Sequence, residues 1–385
     1  MIMLMLSGCG PKAPPVSSGE AVARTAPNAA AAQAILETAS TSLDVTTRRY
    51  ALVALMEQDP DPSGGSWAER GLWDPEPAVQ RAVVSALAER LPEPGSAARL
   101  QDFVGRENLT AYPRCQAASA LARSGDQSTL SAVQAAMSEA PAPWLAAPCA
   151  LAAAQMGDEA ALSVLNDSLR EGGLPLDTGF MRDLGRSGLT GTVPALREGL
   201  ALMEEELRLA VATALLELGE AEGATMLRRA LGGNDPVAQL EAVDFLLTSS
   251  SEQATVLLRR AGGGDVGVAA QLALIGRGEE LPYFAVESLL SADREVRALA
   301  CEVLGLWLEG ADSPPRRAER LAHEALLKSL EDLEEQVRLE AIRALGRSGR
   351  AADASALAPL VMSEEPGWQG VVASAALLKL VSGTR

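Results

Sequence analysis

The chain has 385 residues, of which 48% are apolar and only 3% aromatic, and its formal net charge is −18. Such an acidic balance argues against binding to nucleic acid or to anionic lipid, because both need clustered basic side chains. A core with so few aromatic residues must be built from Ala, Leu and Val, which suits short, closely packed helices. Since no stretch shows period-two alternation with β-branched residues, we predict an all-α fold.

The N-terminus begins with six apolar, uncharged residues, too few to span a bilayer, which needs about 20. They are followed by a motif that ends at Cys9, and Leu6-Ser7-Gly8-Cys9 resembles the lipobox of bacterial lipoproteins. The resemblance implies that residues 1–8 are part of a signal peptide and that Cys9 becomes the acylated first residue. Because Gly10 stands where an Asp would retain such a protein in the inner membrane, it also implies the outer membrane, facing the periplasm. The absence of a basic residue before the apolar stretch departs from that pattern.

Residues 9–27 are predicted to be a disordered tether. The segment after Cys9 is rich in Pro, Ser and Gly, which cannot build a core. A tether of this kind would hold a folded body, residues 28–385, away from the membrane surface.

The body contains a repeated helical phrase. Val-Arg-x-x-Ala followed by Leu-Gly occurs at 296–305 and again at 337–346, and looser copies lie at 79–83, 207–211 and 237–241. A regular repeat with two helices in each unit predicts an α-solenoid. We divide the body into about eleven units, each with an outer helix A, a turn rich in Gly, Asp or Pro, and an inner helix B. An open array of this kind should be elongated.

The B helices are predicted from apolar periodicity and turn residues. Their ranges are 46–57, 78–91, 112–124, 144–156, 177–186, 206–218, 237–249, 266–276, 296–308, 336–347 and 368–381. In one clear unit, Asp235 is the expected N-cap and Pro236 the first helical residue, and the apolar stripe contains Val237, Leu240, Val243 and Leu247. Glycines that should close units in the left-handed conformation are Gly125, Gly157, Gly188, Gly219, Gly276, Gly310 and Gly349.

The two best repeats, which begin near Asp293 and Asp332, resemble the HEAT family, specifically the short HEAT-like repeats of phycobilisome lyase-type proteins. The resemblance covers nearly the whole body and is specific for fold, whereas HEAT arrays serve many unrelated functions. It implies that Arg297 and Arg338 pair with Asp293 and Asp332 to form a ladder between units.

The sequence offers few groups for chemistry. His323 is the single histidine, and because Leu327 occupies the second position of an H-E-x-x-H motif, we interpret His323 as structural. The glycine run 262–267 formally matches a dinucleotide-binding motif, but a helix precedes it, so we interpret it as a turn. We therefore predict no catalytic residue, no metal site, no cofactor and no enzymatic activity.

Two features are open to more than one interpretation. The basic pairs Arg228-Arg229 and Arg259-Arg260 either complement the ends of their helices or form a ridge for an acidic ligand. Pairing of Cys115 with Cys149 would need Cα atoms within about 7 Å, closer than neighbouring helix axes usually lie, so we predict that they are not bonded.

These features favour a lipid-anchored scaffold of the bacterial envelope that binds another protein on the concave face of the solenoid. The alternatives are a lyase or chaperone-like enzyme of the phycobilisome lyase type, and a purely structural envelope component. The partner is expected to be a protein rather than nucleic acid or a small molecule, and the membrane is contacted only through the lipid at Cys9.

Overall fold

The computed structural model describes residues 18–59, 61, 63–107, 109–138, 143–171, 177–203, 205–310, 314–362 and 367–382. Within these ranges the regular secondary structure is entirely helical, as the composition predicted. The odd-numbered α-helices are α1 (Ser18–Ala39), α3 (Gly65–Leu72), α5 (Pro94–Val104), α7 (Leu130–Ser138), α9 (Glu159–Glu171), α11 (Val193–Gly199), α13 (Ala221–Leu231), α15 (Glu252–Arg259), α17 (Tyr283–Ser288), α19 (Arg316–Ser329) and α21 (Ala354–Val361). The even-numbered helices are α2 (Val45–Gln58), α4 (Pro77–Ala88), α6 (Ala111–Arg123), α8 (Pro143–Gln155), α10 (Thr178–Arg186), α12 (Glu205–Glu217), α14 (Pro236–Thr248), α16 (Asp265–Gly276), α18 (Arg294–Gly310), α20 (Glu335–Ser348) and α22 (Gly367–Ser382).

The helices form two layers. Most even-numbered helices pack side by side on the next even-numbered helix, and α8 and α10 contribute to one shared core; we call this set the inner layer. The odd-numbered helices, the outer layer, pack mainly on the inner layer, and those that also pack on one another are α9 with α11, α1 with α21, α17 with α19, and α13 with α15. Wider spacing in one layer is what a curved two-layer arrangement requires.

The observed inner-layer helices coincide with the predicted B helices. No end differs from the predicted one by more than three residues. Asp235 caps α14 as predicted, since its carboxylate accepts a hydrogen bond from the Val237 amide at 3.0 Å, and Pro236 is the first helical residue. The capping and turn residues, together with the spacing of the apolar residues, therefore determine where these helices begin and end.

Most of the predicted closing glycines adopt the left-handed conformation. These are Gly125, Gly157, Gly188, Gly219 and Gly349. Two predictions were wrong: Gly276 and Gly310 are the last helical residues of α16 and α18, and Gly278 has the positive φ after α16, at 75°. Only Gly adopts this conformation without a Cβ penalty.

Helix α1 starts earlier than the predicted body. It begins at Ser18, so the helical region includes part of the range 9–27 that we assigned to the tether. Residues 1–17, which contain the predicted signal peptide 1–8 and the predicted lipidation site Cys9, lie outside the described residues.

The two ends of the described chain are in contact. Helix α1 packs on α21 and α22, and α2 also packs on α22. The rings of Tyr50 and Trp368 meet edge to face with centroids 5.2 Å apart, and the Ser382 hydroxyl lies 2.8 Å from the side-chain oxygen of Gln58. Apolar residues of α1 thus complete the core beside α22, and the elongation expected of the array stays a prediction.

A disulfide joins two inner-layer helices. Cys115 of α6 is bonded to Cys149 of α8, with Cα atoms 4.7 Å apart, so the prediction that they do not pair was wrong. Small residues on both helices, including the fully buried Ala118 and Ala152, let the backbones approach more closely than typical helix spacing allows.

No helix in the described part of the chain has both the length and the apolar character needed to span a membrane.

Candidate binding surface

Two arginine–aspartate pairs connect successive units of the inner layer. Arg297 donates two hydrogen bonds to Asp332, at 2.9 and 3.0 Å, and a third to the carbonyl of Ser291. Arg48 likewise donates two hydrogen bonds to the Asp74 carboxylate, at 2.7 and 3.0 Å. Each pair fixes the loop before one unit to the loop before the next, with the geometry of a bidentate guanidinium–carboxylate contact.

The predicted ladder is correct in part. Arg297 pairs with the acid of the following unit, whereas Asp293 instead caps α18 by accepting a hydrogen bond from the Glu295 amide. Arg338 donates to the backbone carbonyl of Asp332 at 2.8 Å. The Arg48–Asp74 pair was missed, because the first unit lacks the Val-Arg phrase.

The apolar stripe of α14 is only half buried. Val243 and Leu247 lie in the core as predicted, but Val237 is 64% exposed and Leu240 is 40% exposed. Both exposed residues lie in the first half of the helix, which the adjacent helices leave uncovered. This uncovered half-stripe marks an edge of a concave region on the inner layer.

We call that region the aliphatic groove. It has a volume of about 340 Å³ and is formed by α14, α16 and α18. Its apolar lining consists of Leu240, Val243, Leu247, Ala269, Leu272, Ala273, Val296 and Leu299, and its carboxylates are Asp244, Asp265, Asp293 and Glu295. An apolar lining with a few polar groups is typical of binding sites of this size.

A second concavity, the seam pocket, lies where the chain ends meet. It has a volume of about 410 Å³ and is lined by residues of α2, α18, α20 and α22. Its ionisable side chains are Tyr50, Glu57, Glu302, Glu340, Arg343, Arg347 and Lys379. The pocket therefore exists only because the N-terminal and C-terminal helices are adjacent.

The seam pocket is electrostatically mixed. Partial desolvation raises the pKa of the Glu57 and Glu302 carboxyls above their ordinary values, although nearby cations such as Lys379 and Arg347 oppose the shift. Arg343 pairs with Glu340, and its guanidinium lies 5.9 Å from the centroid of the Tyr50 ring. Opposite charges are thus largely balanced within the pocket, unlike in the aliphatic groove.

His323 is buried against a single acid. Its Nδ1 lies 2.7 Å from Oδ2 of Asp353, and each side chain is 3% exposed, although the contact does not have the geometry of a good hydrogen bond. His323 belongs to α19, and Asp353 lies in the short 3-10 segment Ala351–Asp353 before α21. The pair joins outer-layer elements, and neither residue lines the seam pocket or the aliphatic groove.

The other sequence motifs have local roles. The glycine run 262–267 forms the turn between α15 and the start of α16, as predicted. Arg228 and Arg229 occupy the last turn of α13, and Arg259, at the end of α15, contacts Glu279 at 2.9 Å. Among the described residues, no group of three His, Cys, Asp or Glu side chains could hold a metal ion.

Comparison with solved structures gives likenesses of fold. No family model matches the chain, and no curated protein matches it. The structure of human deoxyhypusine hydroxylase in complex with glycerol is similar over 84% of this chain and 98% of that protein, with 18% identity and a TM-score of 0.31.

This likeness corrects one prediction. We predicted that the chain is not an enzyme, and the similar solved structure is that of an enzyme, so the prediction is contradicted and withdrawn. At a TM-score of 0.31 the likeness assigns neither a reaction nor a site to this chain.

Proposed function

We propose that this chain is a HEAT-like α-solenoid of about eleven two-helix repeats that binds another protein on its inner layer. In the proposal, a lipid at Cys9 anchors it in the bacterial envelope, at the outer membrane and facing the periplasm. The observation that carries the binding role is that the seam pocket and the aliphatic groove are both lined by inner-layer helices, each of them by residues of three or four units. A surface assembled from several repeats is how helical solenoids recognise their partners.

The disulfide supports the proposed location in the bacterial envelope. Disulfides persist in oxidising compartments such as the bacterial periplasm and are rare in the cytosol. Cys115 and Cys149 are bonded, while Cys301 is buried and burial raises the pKa of its thiol to about 12. Cys9 is therefore the cysteine to test for lipidation.

Lipidation is tested by replacing Cys9 in cells that export the protein. The Cys9→Ala variant should lose labelling by radioactive palmitate and leave the membrane fraction, because a lipid chain contributes about 0.8 kcal/mol per buried CH₂. The matched control is Cys301→Ala, which keeps Cys9 and should remain labelled. Equal labelling of the wild-type and Cys9→Ala proteins contradicts the anchor.

Partner binding is tested by photo-crosslinking in whole cells. A photoreactive residue is placed at Asp244 or Glu302 in the inner layer, and at Arg228 or Val256 in the outer layer. We expect protein adducts from the inner positions and few from the outer ones, because the concavities belong to the inner layer. Adducts confined to the outer positions contradict the proposal.

A further inference from the structure

The aliphatic groove combines exposed apolar side chains with acidic side chains. Leu240 is 40% exposed at its edge, next to Val237, which is 64% exposed. Large apolar side chains grouped beside a concave apolar surface are typical of a binding site rather than of scattered surface residues.

The charge around the groove has one sign. Asp244, Asp265, Asp293 and Glu295 contribute to its surface, and none of them forms an ion pair with another described residue. No lysine or arginine lines the groove.

The two basic residues closest in sequence are already engaged elsewhere. Arg294 lies 3.8 Å from Glu334, and Arg297 is held by Asp332, so both point to the following unit. Asp293 accepts the cap hydrogen bond of α18 and interacts with Arg297, so Asp244, Asp265 and Glu295 are the carboxylates left for a cation from outside the chain.

We infer that the aliphatic groove binds a cationic amphipathic segment of the partner protein, with large apolar side chains in the groove and Lys or Arg side chains facing Asp244, Asp265 and Glu295. The inference rests on the proposed protein-binding function and names the chemistry of the partner. Charge complementarity selects this occupant: a second copy of this chain carries the same net charge of −18 and would bring like charges together. An amphipathic helix laid into an apolar groove is an established mode of peptide recognition.

The test uses the full chain and a fluorescent Leu–Lys amphipathic helical peptide about 18 residues long. Two control peptides have the same length: a Leu–Glu peptide with the same pattern, and a Ser–Lys peptide that keeps the positive charge but lacks the apolar face. Fluorescence anisotropy should show the tightest binding for the Leu–Lys peptide. Equal affinity for the Ser–Lys peptide would mean charge attraction alone and would overturn the inference.

Variants of the protein locate the site. The triple variant Asp244→Asn, Asp265→Asn, Glu295→Gln should weaken Leu–Lys peptide binding by about tenfold. The matched control, Glu69→Gln, Glu252→Gln, Glu287→Gln, removes the same charge from exposed outer-layer positions and should change affinity less than twofold. Equal losses in the two triple variants would place the peptide elsewhere on the acidic surface and overturn the inference.

The apolar part is tested separately. Leu240→Gln should weaken binding by about tenfold, whereas Val256→Gln, at a 44% exposed position of the outer layer, should have no effect. Both positions are partly exposed, so both variants should fold, which circular dichroism checks. A shift from dimer to monomer in Leu240→Gln would identify a second copy as the occupant and overturn the inference.

The outcomes separate this inference from the proposed function. If crosslinks in cells form at the inner layer but the groove variants bind the Leu–Lys peptide normally, the partner binds elsewhere on the inner layer and only the inference fails. If the inner layer forms no crosslinks in cells, the proposed function itself fails.

Discussion

His323 and Asp353 form a buried contact between α19 and the segment that leads into α21. Replacing Asp353 with Ala leaves the imidazole buried without its partner, and we expect a loss of about 1–3 kcal/mol in the free energy of unfolding. Denaturant titration followed by circular dichroism measures it. Replacing both residues with Leu should lower the free energy of unfolding less than Asp353→Ala does, because no buried polar group then lacks a partner. An equal loss in the two variants would show that packing, not the polar contact, matters here.

Asp332 is the acid whose stabilising role should depend on pH. The hydrogen bonds from Arg297 hold the pKa of the Asp332 carboxyl below its ordinary value. A depressed pKa in the folded state contributes stability above the pKa of the unfolded state, and that contribution is lost as the pH falls through the folded value. We expect Asp332→Asn to destabilise the protein by about 1–3 kcal/mol near pH 7, and the difference from wild type to shrink below about pH 4.

Glu334→Gln is the control for the Asp332 prediction. Glu334 pairs with Arg294 at 3.8 Å between two side chains that are 60% and 46% exposed. Such surface pairs contribute at most about 1 kcal/mol, so this variant should change stability little at either pH. A pH-independent loss in Asp332→Asn would contradict the role assigned to the ion pair.

At the scale of elements, the disulfide stabilises the junction of α6 and α8. The bond closes a loop between residues 34 positions apart, and a loop of this length predicts a stabilisation of about 3–4 kcal/mol. The double variant Cys115→Ala, Cys149→Ala should lose that amount in denaturant titration, and reductant should then have no further effect. A variant as stable as the oxidised wild type would contradict this contribution.

Thiol counting gives an independent check of the same bond. With Cys9 lipidated and the disulfide intact, the unreduced, denatured protein should react at Cys301 alone, and Cys301→Ala should abolish the reaction. Two further reactive thiols would show that Cys115 and Cys149 are free.

The inner-layer helices could be predicted from sequence because local signals specify them. Asp235 and Pro236 define the start of α14, and apolar periodicity defines its buried face. The exposure of Leu240 could not be predicted in this way, because periodicity shows which residues share a face but not how much of that face the neighbouring helices cover. The disulfide was missed for a related reason: the distance between α6 and α8 depends on small residues from both helices.

The aliphatic groove could not be predicted from the sequence for a similar reason. Its residues come from three helices that are separated in the sequence by the intervening outer helices, and no one of these helices forms the groove alone. Only the packing of α14, α16 and α18 brings Asp244, Asp265 and Glu295 to one concavity. The acidic composition of the chain predicted the sign of the charge but not its position.

At the scale of the whole molecule, the contact between the two ends can be tested by crosslinking. In a background where Cys9 and Cys301 are Ala, Gln58→Cys and Ser382→Cys should be joined by a short bis-maleimide, because their native side chains are 2.8 Å apart. Adding Tyr50→Ala should lower the yield, since it removes the ring contact with Trp368. The matched pair Gln58→Cys and Ser355→Cys places the second thiol on an exposed outer-layer position and should not crosslink. Equal yields from the two pairs would contradict the closed arrangement.

The contact between α1 and α22 could not be predicted from the sequence. The sequence of a helix determines its contacts with adjacent helices, whereas contact between the two ends depends on small rotations that accumulate along the chain. No single residue of α1 marks it as the partner of α22, since Ala32 and Leu36 would serve equally well in any helix.

Because the ends meet, the order in which the chain is made becomes important. Helix α1 is synthesised near the beginning and α22 at the end, and the contact between Gln58 and Ser382 spans 324 positions. Until α22 is made, α1 lacks part of the apolar surface that buries Ala32 and Leu36, and such transiently exposed apolar surface favours aggregation. A polypeptide that crosses a membrane N-terminus first would therefore need a holding chaperone for its earliest helix until the last one has been delivered.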